Sequence, residues 1–155
     1  MDTILVIEDN IDVNNMLVEA LTDAGYVVKS AYTGIEGINE IKWQEYSLIL
    51  LDIMLPYKSG DEVLKEMRQF SDIPVIIISA KDMVGIKIDL LKLGADDYIT
   101  KPFDLNEVLA RVESNLRRSK KQVQESKSFR YKDMVLDDST KRVSINGVEI
   151  ELTAK

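Results

Sequence analysis

The 155-residue sequence predicts an α/β fold, a doubly wound five-stranded parallel sheet with helices on both faces. Three observations carry this. Five short apolar runs alternate with five segments whose apolar residues recur at helical spacing. Runs such as "LILL" and "VIIIS" are apolar at successive positions, as suits strands covered on both sides. Glycines and short polar residues fall at the joints where helices should stop and start.

In chain order, "TILVI" (3–7) reads as the first strand. Val13, Met16, Leu17, Ala20, Leu21 and Ala24 then share one helical face, and Gly25 follows where a helix-ending glycine belongs. "YVVKSA" (26–31) is a shorter strand. Ile35, Ile38 and Ile41, at three-residue steps, predict a short helix. "LILL" (48–51) is a buried strand, and Val63, Leu64 and Met67 mark the helix after it. "PVIIIS" (74–79) is a β-branched strand. Val84, Ile88 and Leu91 predict a helix over 83–93 that ends at Gly94, and "DYIT" (97–100) is the last strand. Asp104, with Glu107 three residues on, resembles a capping box. Leu105, Val108, Leu109, Val112 and Leu116 give that final helix its apolar stripe. With five strands the expected order is 2-1-3-4-5, flavodoxin-like, which puts the ligand crevice at the carboxyl ends of strands 1 and 3.

Composition narrows the chemistry. There is no cysteine, which excludes disulfides and thiol catalysis. There is no histidine, which excludes a Ser-His-Asp triad and any imidazole metal site. The net charge of -7 argues against DNA binding by the bulk of the chain. No apolar run approaches the roughly 20 residues of a membrane span, and "MDTILVIEDN" lacks a basic leader, so a cytoplasmic protein without membrane contact is expected.

The charged residues collect at strand ends. Glu8 and Asp9 end strand 1, Asp52 ends strand 3, Ser79 ends strand 4, and Lys101-Pro102 ends strand 5. Taken singly, most have plain readings. Glu8-Asp9 could be an acid pair favouring a helix N-terminus, Ser79 a turn hydroxyl, and Lys101 a solvated lysine. Asp52, set between apolar stretches in "LILLDIMLP", resists one, because an unpaired buried carboxylate is costly. Together they place three carboxylates, a hydroxyl and an ammonium on one edge. Carboxylates so close repel one another, which a hard cation such as Mg²⁺ relieves. Two cations facing an aspartate suit an incoming phosphoryl group.

The pieces "ILVIEDN", "LILLDIMLPYKSG", "IPVIIISAK" and "GADDYITKPF" resemble the receiver domain of two-component response regulators, over roughly residues 1–120. The resemblance implies Asp52 as the phosphoacceptor. It implies Glu8, Asp9, Asp52 and the Met54 backbone carbonyl as ligands for Mg²⁺ (or Mn²⁺), and Lys101 and Ser79 as phosphoryl contacts. Ser79 and Tyr98 match the switch positions, and Lys101-Pro102 matches a cis peptide. Asn10 and Ser59 stand where the family often has acids, which bears on phosphoryl lifetime.

"GADDYITKPFDLNEVLARV" resembles the OmpR/PhoB subfamily. That implies a symmetric homodimer through the fourth helix, fifth strand and fifth helix. Its pairs across protomers would be Lys87 with Glu107, Asp97 with Arg111, and Asp96 with Arg118. Residues 121–128 read as a polar linker. Residues 129–155, with a hairpin signal at Asn146-Gly147, resemble the first sheet of a winged-helix DNA-binding domain whose helices are missing. The implied partners are a sensor histidine kinase and, for the full-length protein, promoter DNA; DNA binding by these residues alone is not expected. The expected function is transcription control by phosphorylation, with a stand-alone receiver acting through protein contacts as the alternative. A turnover enzyme is not expected beyond slow autodephosphorylation. An aspartyl phosphatase of the haloacid dehalogenase type needs a second aspartate where Met54 stands. A flavodoxin-like cofactor site would have "EDN" repelling its phosphate.

Overall fold

Each of the five apolar runs forms a strand of one sheet. The computed structural model describes residues 2–80, 89 and 91–134, the last stretch (122–134) by backbone alone. The elements are β1 (Thr3–Ile7), α1 (Ile11–Asp23), β2 (Val27–Ala31), α2 (Gly34–Trp43), β3 (Leu48–Asp52), α3 (Gly60–Met67), β4 (Val75–Ala80), β5 (Asp97–Lys101) and α4 (Leu105–Met134). The strand order is β2-β1-β3-β4-β5, and every pairing is parallel. The expected doubly wound sheet of order 2-1-3-4-5 is therefore present. Of the helix expected over 83–93, Asp89, Leu91 and Lys92 are helical and Leu93 is in a turn; 83–88, Lys87 included, and 90 lie outside the described residues.

The period-two pleat divides the core into two layers. Leu5, Ile7, Ile49, Leu51, Val75 and Ile77 face one side and pack with Ile38 and Ile41 of α2 and Val63, Leu64 and Met67 of α3. Ile4, Val6, Leu48, Leu50, Ile76 and Ile78 face the other, against Leu17 and Leu21 of α1 and Val108, Val112 and Leu116 of α4. All five residues of β3 are buried. That is why its sequence is apolar without alternation.

Short polar residues start the helices. The Asn10 side chain accepts the Val13 N–H at 3.0 Å, and Thr33 Oγ1 accepts the Glu36 N–H at 3.1 Å. At α3 the Ser59 N–H donates to Glu62 at 3.0 Å. At α4 the expected capping box takes another form: Asp104 accepts the Asn106 N–H at 2.8 Å, while Glu107 accepts from Arg111 at 3.2 Å. Gly25 has φ +102°, a left-handed turn that glycine adopts without a Cβ penalty.

α4 runs to Met134, so the stretch 121–128 expected as a polar linker is helical, and so are 129–134, the first residues of the segment expected to resemble a sheet. Lys121, Gln122, Gln124, Glu125 and Lys127 all have high helix propensity, and polarity by itself does not end a helix. The chain divides into two units, one through Leu116 and one from Arg117 on. The hairpin around Asn146-Gly147 and the rest of 135–155 lie outside the described residues. Among the described residues no helix is long and apolar enough to cross a membrane.

Candidate phosphoacceptor and metal site

Sheet register builds the site. Ile7 of β1 pairs with Leu51 of β3, so Glu8 and Asp52 emerge side by side, one residue further along. Across the sheet, Asp52 pairs with Ile78 and Ala80 pairs with Lys101, which brings β5 to the same edge. Glu8, Asp9 and Asp52 place one carboxylate oxygen each within 4.8 Å of one another. Glu8 is 2 % exposed and Asp52 4 %, whereas Asp9 is open to solvent. Lys101 Nζ reaches Glu8 Oε1 at 3.0 Å and Asp52 Oδ2 at 3.3 Å.

Three carboxylates against this one ammonium leave the site short of positive charge. Burial, aided by the neighbouring Asp52 carboxylate, pushes Glu8 up to about 7, although the Asn10 N–H and Lys101 oppose the shift. Burial alone would lower the Lys101 pKa; its hydrogen bond to Glu8 and the charges of Asp52 and Glu8 outweigh this, and the ammonium is raised. A donor set made of oxygens, crowded and under-neutralised, fits a hard divalent cation. Glu8, Asp9 and Asp52 are the groups that could hold it.

Local backbone holds Asp52 in place. Its Oδ1 accepts the Met54 N–H at 3.1 Å. Gly60 packs so closely beneath it that a Cβ there would lie 2.5 Å from the Asp52 carbonyl oxygen and 2.6 Å from Ile53 Cα. Any larger residue would push the loop after β3 outward. The Glu8 Oε2 atom accepts the Asn10 N–H at 3.1 Å.

The other expected residues are placed as follows. Ser79 is fully buried near the end of β4, paired in register with Thr100. Tyr98 is buried in the core layer that contains Ile77. The Lys101-Pro102 peptide is cis, as expected. The surface charges engage one another within the chain. Arg111 Nη1 donates to Asp97 Oδ1 at 2.7 Å, and Asn115 donates to Asp97 Oδ2 at 3.0 Å. Asp96 accepts from Arg68 at 3.2 Å and from the Val75 N–H at 2.9 Å. Two contributors to the site were not anticipated from sequence, Asn14 and Gly60. Asn14 is fully buried on α1 and donates to the Glu8 carbonyl at 3.0 Å. Its spacing of three and seven residues from Leu17 and Leu21, on the buried face of α1, was the available signal.

Residues 4–113 match the family model described as "Response regulator receiver domain". The chain is 40% identical over 152 residues to the transcriptional activator protein IrlR of Burkholderia pseudomallei, covering 98% of this chain and 66% of that one. It is 39% identical over 153 residues to the response regulator ArlR of Staphylococcus aureus, covering 99% of this chain and 68% of that one. It thus spans about two-thirds of the length of these curated relatives. Among solved structures, the receiver domain of the Francisella response regulator 1452 superposes with TM-score 0.74 at 35% identity, over 77% of this chain and 99% of that one. A CheY-like receiver domain protein from Methanospirillum hungatei gives 0.75 at 27% identity, over 79% and 98%.

Proposed function

The chain belongs to the response regulator receiver family, and on that premise we propose that Asp52 accepts a phosphoryl group from a phosphohistidine of a sensor kinase. The observation that carries this is the buried Asp52 carboxylate, set among Glu8, Asp9 and Lys101 at one sheet edge. In the transfer, an Asp52 oxygen forms a bond to phosphorus as the P–N bond to imidazole breaks, and the electron pair leaves with the imidazole nitrogen. Lys101 supplies a fixed positive charge to the transferring oxygens. Ser79 offers a hydroxyl to one of them. Glu8, Asp9, Asp52 and the Met54 carbonyl would hold Mg²⁺ (or Mn²⁺), which supplies the remaining neutralising charge.

The phosphorylated state favours a homodimer through β5, α4 and the helix preceding β5, with Lys87, Asp96, Asp97, Glu107, Arg111 and Arg118 as its charged residues. The likeness to IrlR and ArlR supports a role in transcription control, of the OmpR/PhoB type, with promoter DNA bound by a winged-helix region of the full-length protein. Ser79 and Tyr98 are the switch pair that links the site to that face. The protein acts in the cytoplasm as a phosphoacceptor, not as an enzyme with external turnover.

Acetyl phosphate with Mg²⁺ tests the reading. Intact-protein mass should rise by one phosphoryl group, chelation should prevent it, and Asp52→Ala should abolish it. Equal labelling of the alanine variant would make the site assignment wrong.

A further inference from the structure

Asn14 is a polar side chain with no exposed surface, on the first turns of a helix that packs into the core. Every group of its amide is used. Nδ2 donates to the Glu8 carbonyl at 3.0 Å and to the Ala31 carbonyl at 3.4 Å, and Oδ1 accepts from Ser30 Oγ at 2.6 Å. The Ala31 carbonyl also accepts the Glu8 N–H at 3.0 Å. The main chain of Glu8 is thus held on both sides: its N–H by β2, its carbonyl by Asn14, and Asn14 itself by β2. These bonds lie where β1 leaves the sheet and delivers Glu8 and Asp9 to the site.

We infer that Asn14, braced by Ser30, is a positioning residue that sets the spacing of the Glu8–Asp9 corner and makes the site selective for a small divalent cation. The inference rests on the metal site proposed above. The physical reason is the difference between the two common hard cations. Mg²⁺ requires near-octahedral oxygens at about 2.0–2.1 Å, whereas Ca²⁺ accepts looser sets at about 2.3–2.6 Å. A corner held by these four hydrogen bonds keeps its carboxylates where a small ion needs them. Without Asn14 the buried Glu8 carbonyl loses a partner and shifts to find another. The widened corner disfavours Mg²⁺ more than Ca²⁺. Groups that orient metal ligands typically contribute about 10–100-fold in affinity.

Isothermal titration calorimetry with Mg²⁺ and with Ca²⁺ on the full chain tests this, alongside thermal melting without metal. Asn14→Ala should weaken Mg²⁺ about tenfold and Ca²⁺ by clearly less, lowering the selectivity ratio. Ser30→Ala, which removes only the brace, should shift the ratio the same way by a smaller factor. It carries the test alone if Asn14→Ala does not fold. A lower melting temperature with unchanged affinities, or equal weakening for both ions, would make Asn14 merely structural and overturn the inference. Asp52→Asn separates the two readings. If it leaves Mg²⁺ affinity unchanged, the metal site itself fails; if it weakens Mg²⁺ while the Asn14 and Ser30 variants keep the wild-type ratio, the positioning role alone fails.

Discussion

Two charged clusters occupy β5 and its surroundings, and they are built differently. At the sheet's carboxyl edge, Lys101 faces Glu8 and Asp52, both almost wholly buried, with Asp9 close by. At the start of the same strand, Asp97 meets Arg111 and Asn115, while Arg111 also meets Glu107. The side chains of Asp97 and Arg111 are 22% and 40% exposed. The second cluster has water to screen it and a partner for each acid. The first has neither in full, and Glu8 bears the deficit. An incomplete buried cluster is poised to take up more charge, whereas a satisfied surface cluster can only exchange partners. Dimerisation through Asp97 and Arg111 would be such an exchange, so its net energy is small and its role is to set orientation.

The largest expected effect comes from removing the acceptor. Asp52→Asn should eliminate phosphoryl labelling and, without metal, raise the melting temperature, since it relieves the crowding of carboxylates. A fall in melting temperature would mean that the Asp52–Lys101 bond outweighs the repulsion.

Removing the cation should come next. Lys101→Met leaves Glu8 and Asp52 buried with less compensation and should cost about 2 kcal/mol without metal, less than a fully buried pair because Lys101 is partly solvated. Urea denaturation at neutral pH measures it. A neutral result would mean that Glu8 already takes a proton at no cost.

Acidity then distinguishes the clusters. The Glu8 pKa is raised from 4.5 to about 7 on folding. Its contribution to stability is therefore full below the unfolded value and is lost as pH rises through the folded one. Metal-free protein should melt at progressively lower temperature from pH 4.5 to pH 7, and Asp52→Asn should flatten that slope without abolishing it, because burial is the larger cause. A slope that persists unchanged in Glu8→Gln would assign the titration elsewhere.

The smallest effect is on the surface. Arg111→Ala should cost about 0.5 kcal/mol and become neutral in high salt. A cost of several kcal/mol would mean that the second cluster is as demanding as the first.

The sheet and the acidic edge were legible in sequence because they depend on local pattern. Successive apolar residues reported strands buried on both faces, and acids placed just after those runs had to share an edge once the order was known. Partners separated by many positions were not legible. Nothing in "MRQF" ties Arg68 to the Gly94 carbonyl, which it meets at 2.8 Å through folding alone. Likewise Asp96 and Asp97 read as surface charges awaiting a second protomer, yet in the fold both find hydrogen bonds within the chain. Asn14 was hidden for a related reason. Its partners sit just past β1 and on β2, and their proximity to α1 is a tertiary fact. Around 121–128, composition reported polarity but not backbone conformation: a run rich in lysine and glutamine suits a helix, which is what forms there.

The register that seats Glu8 beside Asp52 has a genetic consequence. Both acids lie one residue past the Ile7–Leu51 pair, and each strand assigns alternate residues to opposite core layers. Losing one codon within β3 would turn every later side chain to the wrong layer and withdraw Asp52 from the edge. Exchanging one aliphatic residue for another there would disturb only its own neighbours. The central strand should therefore drift freely among apolar alphabets while tolerating almost no change in length.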